Sequence, residues 1–131
     1  NVLEIGTGCG YQTSILSKLF TSVTTIERIK SLHLMAKKRL RDFNYNNITF
    51  LHGDGFHGHK LNSPYDAIIM TASPNEIPSS LVSQLKPSGR IILPLNINGS
   101  QKLFRIKNTK NGLLKKEVDD VLFVPMLEGV S

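Results

Sequence analysis

At 131 residues, 40% hydrophobic and 20% charged, the chain has the size and composition of one soluble globular domain, able to bury roughly two-thirds of its unfolded surface. No apolar run reaches the ~18 residues that would span a bilayer, and the single cysteine, Cys9, excludes an internal disulfide and fits a reducing compartment. Sixteen Lys and Arg against ten Asp and Glu give a net charge of +6. The clusters Lys37–Arg41 and Lys102–Lys116 hold a single aromatic between them, Phe104, so they read as solvated faces rather than as a nucleic-acid surface.

Val2-Leu3-Glu4-Ile5 opens the chain as a strand apolar on both faces and runs directly into Gly6-Thr7-Gly8-Cys9-Gly10. Glycines there let the backbone take φ > 0 and approach a ligand closely. Ile15, Leu16 and Leu19 stand at helical spacing over Tyr11–Phe20, as an amphipathic helix requires. A second strand, Val23–Ile26, ends at Glu27, about 20 residues beyond Gly6, where a nucleotide-binding α/β fold places a carboxylate for ribose hydroxyls. From Ile29 the positions Leu32, Ala36, Leu40 and Phe43 form a helical stripe with basic residues opposite.

A turn at Asn44–Asn47 leads to a third strand, Ile48–Leu51, followed by Gly53-Asp54-Gly55. Phe56–Pro64 reads as loop, Tyr65–Met70 as a fourth strand and Thr71–Pro78 as loop. Ser79 or Ser80 can cap a short helix through Leu85 that stops at Lys86–Gly89, and Arg90–Leu93 is the fifth strand. Asn111-Gly112, between Gln101–Lys107 and Leu113–Val124, is a hairpin signal. The order predicts one α/β domain over 1–131, a mostly parallel sheet closed by a C-terminal antiparallel hairpin. Because the chain opens on its first strand at Asn1, without an initiator Met, an upstream covering segment is expected.

The glycine triplet departs from the dinucleotide fingerprint in its last spacing, which counts against a nicotinamide-dependent dehydrogenase. Glu4 is a candidate for the ammonium end of an amino-acid-like cofactor, or for a helix N-terminal counter-charge. Glu27 suits a ribose diol, with an ion pair to Arg28 or Lys30 as the plain alternative. Asp54 suits an exocyclic amine and Gly55 a ring nitrogen, although Asp-Gly is also an ordinary turn. His52, His57 and His59 lack a fourth ligand at useful spacing, so no metal is expected. Cys9 has no adjacent base and reads as a small filler. Ser73 lacks the glycine-flanked elbow of a hydrolase nucleophile.

Val2–Thr13, Glu27-Arg28-Ile29, His52–Gly55, Tyr65–Ala72 and Val124-Pro125-Met126 together resemble, in order, the motifs of the protein-L-isoaspartate O-methyltransferases. The resemblance runs through essentially the whole chain. It implies a Rossmann-like class I methyltransferase fold and S-adenosylmethionine as cofactor. It also implies cytoplasmic repair of isoaspartyl proteins by methylation of the free α-carboxylate, by a monomer without nucleic-acid or membrane partners. Glu4, Gly6, Thr7, Gly8, Gly10, Glu27, Arg28, Asp54, Gly55 and Thr71 would then surround the cofactor. Ala72, Leu93, Pro94, Val124 and Pro125 would wall the peptide site. The residue usually assigned to catalysis in that family lies upstream of Asn1, so no catalytic residue is assigned here. The alternatives are another class I methyltransferase, acting on RNA or a small molecule, and a non-catalytic cofactor-binding fragment.

Overall fold

The computed structural model describes all of residues 1–131. Strands β1 (Val2–Ile5), β2 (Val23–Glu27), β3 (Ile48–His52) and β4 (Tyr65–Met70) alternate with helices α1 (Tyr11–Leu19) and α2 (Lys30–Asp42). A two-residue strand β5 (Ala72–Ser73), a one-turn helix α3 (Ser79–Val82), three long strands β6 (Leu85–Ile97), β7 (Ser100–Thr109) and β8 (Gly112–Asp120), and a short β9 (Val124–Pro125) complete the chain. Seven strands form one sheet in the order β3-β2-β1-β4-β6-β7-β8, and β5 pairs with β9 in a separate ribbon.

Strands β1 to β4 and β6 are mutually parallel, and β7 and β8 are antiparallel to their neighbours. The predicted mostly parallel sheet with a closing hairpin is therefore the observed one. Every residue of β1 and β2 is buried, as expected where helices cover both faces of a parallel sheet. One face carries a core of 13 residues, with Leu3 and Ile5 of β1, Ile68 and Met70 of β4, and Ile91, Leu93 and Leu95 of β6 at its centre. On the other face Val2 and Val23 pack under Leu16 of α1. Each fully buried side chain of this size stabilises the fold by roughly 1.5–3 kcal/mol.

Three local expectations shift. The helical stripe of α2 buries His33, Ala36 and Leu40, while Phe43 lies outside the helix and is exposed. The helix before the fifth strand is only one turn long, because Leu85 already pairs with Tyr65. Lys86–Gly89 then bulges out within β6, so that Arg90 returns to register opposite Ala67. The hairpin loop is Lys110-Asn111, one position earlier than the Asn-Gly pair suggests. It is closed by Thr109 and Gly112 with Gly112 at φ +106, and the register breaks only between Leu103 and Phe104 at the other end of the pair. A second hairpin joins β6 to β7 through Asn98 (φ +51) and Gly99 (φ +84), a pair whose left-handed values match the favoured two-residue turn.

No helix of the structure is long and apolar enough to cross a membrane.

Candidate functional site

Parallel pairing places the C-terminal ends of β1, β2, β3 and β4 on one edge of the sheet, where open α/β sheets bind ligands. At that edge lies a cavity of about 400 Å³, within the range of small-molecule sites. Gly6 and Gly8 form one wall, Glu27 and Arg28 the next, and Gly55, Thr71, Ala72, Val124 and Pro125 the remainder. Nine of the residues expected at the cofactor or peptide site are thus gathered around one space. Ile5, Ile26, Ile29, Leu32, Met126 and Leu127 also line it. The sequence reading gave none of these six a site role, although Ile5, Ile29 and Met126 stand within the quoted motifs.

The glycine bend has a mechanical explanation. Gly6 (φ +96) sits where a Cβ would overlap Thr71 Oγ1, and that hydroxyl lies 3.0 Å from the carbonyl oxygens of both Ile5 and Gly6. Thr71 therefore clasps the end of β1 to the end of β4. Gly8 (φ +55) has open space where a side chain would stand. Its N–H donates to Glu27 Oε2 at 2.9 Å, and the Ile29 N–H donates to Oε1 at 2.9 Å. Glu27 makes no ion pair with Arg28 or Lys30. An ionised carboxylate accepts at about four lone-pair positions, so two remain for a ligand.

Glu4 does not face the cavity. It is fully buried and accepts from Gln12 Nε2 at 2.9 Å, Thr13 Oγ1 at 2.5 Å and Thr25 Oγ1 at 2.6 Å. Burial pushes its carboxyl above the ordinary value against those three hydrogen bonds. Thr25 gives its proton to Glu4, so the Thr7 hydroxyl, 2.6 Å away, donates to Thr25. Glu4 and Thr7 consequently brace the bend from beneath, a correction to their expected contact with a cofactor. Gly10 (φ +86) begins α1, and a Cβ there would meet Leu40 of α2 at 3.1 Å. Its absent side chain admits a helix rather than a ligand.

Asp54 lies beside the cavity without lining it. Its Oδ1 accepts from the Phe56 N–H at 2.9 Å and its Oδ2 from the Gly129 N–H at 2.7 Å. The following Gly55 reaches the wall, packed so closely on Ile5 that a Cβ would overlap it. Leu93 and Pro94 are corrected outright. Leu93 is fully buried in the core and Pro94 is buried opposite Leu103 of β7, so neither walls a peptide site. Cys9 is exposed, with its carbonyl accepting from Arg39 Nη1 at 2.6 Å, and is no interior filler.

The roof comes from the C-terminal segment. Strand β9 pairs with β5, Ala72 opposite Val124 and Ser73 opposite Pro125, and the Met126 N–H donates to Ser73 O at 2.9 Å. Further on, Arg28 Nε donates to Gly129 O at 3.3 Å. The residues present fit an adenosyl group: isoleucines and Met126 supply apolar walls, Glu27 a polar rim, and Gly8 and Gly55 close backbone approach.

The family model for protein-L-isoaspartate(D-aspartate) O-methyltransferase matches residues 1–131. A protein-L-isoaspartate O-methyltransferase of Pseudomonas paraeruginosa is 44% identical over 128 residues, which are 98% of this chain and 61% of that relative. The chain thus spans somewhat under two-thirds of the relative's length. Among solved structures, a protein-L-isoaspartate O-methyltransferase superposes with a TM-score of 0.90 at 31% identity, covering 95% of this chain and 41% of that one. A Plasmodium falciparum structure named for the same activity, in complex with S-adenosyl-L-homocysteine, has a TM-score of 0.79 at 27% identity, covering 96% of this chain and 65% of that one.

Proposed function

The chain belongs to the protein-L-isoaspartate(D-aspartate) O-methyltransferase family, and we propose that it methylates the free α-carboxylate of L-isoaspartyl residues in damaged proteins, with S-adenosylmethionine as methyl donor. The observation that carries this reading is the single cavity uniting the Gly6–Gly8 bend, Glu27, Gly55 and Thr71 under the Val124–Met126 roof. Support for the cofactor comes from the fit of that cavity and from the S-adenosyl-L-homocysteine bound by the Plasmodium falciparum relative.

The cofactor supplies an electrophilic methyl group on a sulfonium. In this reading the two free lone-pair positions of Glu27 accept from the ribose hydroxyls. Ile26, Ile29, Leu32 and Met126 would enclose the adenine with Gly55 at its edge, while Asp54 steadies that wall from beside the cavity through the Phe56 and Gly129 amides. Gly6 and Gly8 leave space for the methionine end, and Thr71 and Ala72 stand near the methyl. Val124 and Pro125 flank the incoming carboxylate. That carboxylate has a reference pKa near ~3.5 and is ionised at neutral pH, so its attack needs no base. The bound cofactor would supply the methyl to an oxygen of that carboxylate and leave as its neutral thioether, with no proton to transfer. The protein's contribution is alignment and exclusion of water, each able to supply several kcal/mol. The ester would then close to a succinimide by attack of the neighbouring backbone amide nitrogen with loss of methanol, and hydrolysis would reopen the ring in part as aspartate.

Radiolabelled methyl transfer to an isoaspartyl peptide, compared with its aspartyl isomer, is the test. Labelling of the isoaspartyl peptide alone supports the reading, and equal labelling of both rejects it. Because the chain spans 61% of its relative, calorimetry with S-adenosylhomocysteine is informative beside it: binding without transfer favours a cofactor-binding module.

A further inference from the structure

Beside the β5–β9 ribbon lies a second cavity of about 470 Å³, which shares Pro125, Met126 and Leu127 with the first. Its chemistry is different. The 11 lining residues include Glu76 and Glu128 but no Lys, Arg or His, in a chain of net charge +6. Neither carboxylate is in an ion pair, whereas Asp42, Asp66, Glu117 and Asp120 all are.

A second observation points the same way. Ser73 lines this cavity, is 4% exposed, and its hydroxyl has no hydrogen-bond partner. A buried hydroxyl is ordinarily paired, and here the amide side chains that line the same cavity are committed elsewhere. Gln101 holds both the N–H and the carbonyl of Phe123, and Asn96 Nδ2 donates to Asn75 Oδ1 at 3.2 Å.

We propose that this second cavity is a subsite for the polypeptide flanking the isoaspartyl residue, seating a basic side chain between Glu76 and Glu128 while a polar group of the same segment pairs with Ser73. The proposal rests on the reading of the chain as acting on isoaspartyl polypeptides. The shared wall supplies the path: a peptide whose carboxylate enters beside Ala72 and Val124 passes Pro125 and Met126 into the second cavity. The unpaired carboxylates favour Lys or Arg there and disfavour Asp or Glu, an interaction that added salt weakens.

Fluorescence anisotropy of labelled isoaspartyl peptides, bearing Lys, Ala or Glu on either side of the damaged residue and measured with S-adenosylhomocysteine present, tests this. The Lys peptide should bind about fivefold more tightly than the Glu peptide, and the double variant Glu76→Lys/Glu128→Lys should reverse that order. Ser73→Ala should weaken binding by about threefold with an unchanged or raised melting temperature, since it removes an unpaired buried group. Equal affinity for the Lys and Glu peptides, or an unchanged order in the charge-reversed protein, overturns the subsite. Unchanged binding in Ser73→Ala removes the hydroxyl from it. An aspartyl peptide that binds as tightly as its isoaspartyl isomer, yet still prefers Lys over Glu, defeats the isoaspartyl reading and leaves the subsite standing.

Discussion

Strands β1 to β4 are four to six residues long and end together at one edge, whereas β7 and β8 are ten and nine residues long and are joined by a two-residue loop. The first group has β1 and β2 buried throughout, while β8 is exposed at all nine positions. Parallel strands need crossover helices and bury both faces, so their ends are held rigidly and can carry a site. The antiparallel hairpin needs only its neighbour. It contributes Phe104 and Ile106 to the core and leaves β8 to solvent, with Lys102 tied to Glu117 and Asp120 and Lys115 lying 4.3 Å from the Phe104 ring centroid. Demand on individual residues should therefore be steep in the first region and shallow in the second.

The sharpest contrast is one substitution made in both places. Gly6→Ala meets both a left-handed backbone and the Thr71 hydroxyl, and should lower stability by about 2–4 kcal/mol in urea unfolding. Gly112→Ala has a positive φ but open space around it, and should cost about 1 kcal/mol. Equal losses would erase the distinction. Next in size, Glu27→Ala strips the acceptor from the Gly8 and Ile29 amides and should weaken S-adenosylhomocysteine binding by tenfold or more in calorimetry, since hydrogen bonds to a charged acceptor contribute about 1.5–3 kcal/mol.

Glu4 offers a pH signature. Its folded carboxyl holds a proton more tightly than the unfolded one because burial disfavours the charge. Its contribution to stability is therefore present below the unfolded value and lost as pH rises through the folded value. Urea midpoints of Glu4→Gln should gain on those of the parent protein as pH rises above the ordinary carboxylate range; a gap that stays constant or moves the other way contradicts this. Smallest of all, Val118→Lys on β8 should shift stability by under about 0.5 kcal/mol and leave S-adenosylhomocysteine affinity unchanged.

What the sequence disclosed follows the same division. The Gly6–Gly10 bend, Glu27 and Gly55 were legible because strand ends, glycines and lone carboxylates leave local marks. Glu4 was misplaced because its role depends on Thr13 and Thr25, which arrive from α1 and β2 only in three dimensions. Leu93 and Pro94 were placed at the peptide wall by the family resemblance alone, and their register against Phe104 and Leu103 buries them. Asn98-Gly99 forms a two-residue turn in full, whereas at Asn111-Gly112 the glycine pairs with Thr109 as the first residue of β8. Ser73 was set aside as a nucleophile for want of an elbow, and no local pattern marks a hydroxyl whose significance is a missing partner.

The roof over the first cavity has a consequence for the order of events during synthesis. Arg28 meets Gly129 across 101 residues of chain, and Asp54 meets it across 75. A growing polypeptide thus displays its glycine bend long before Val124–Met126 have been translated, and domains take shape as chain becomes available. Nascent chains should remain unable to enclose an adenosyl ligand until Val124–Gly129 have left the ribosome, so that ligand capture reports the closing of this roof.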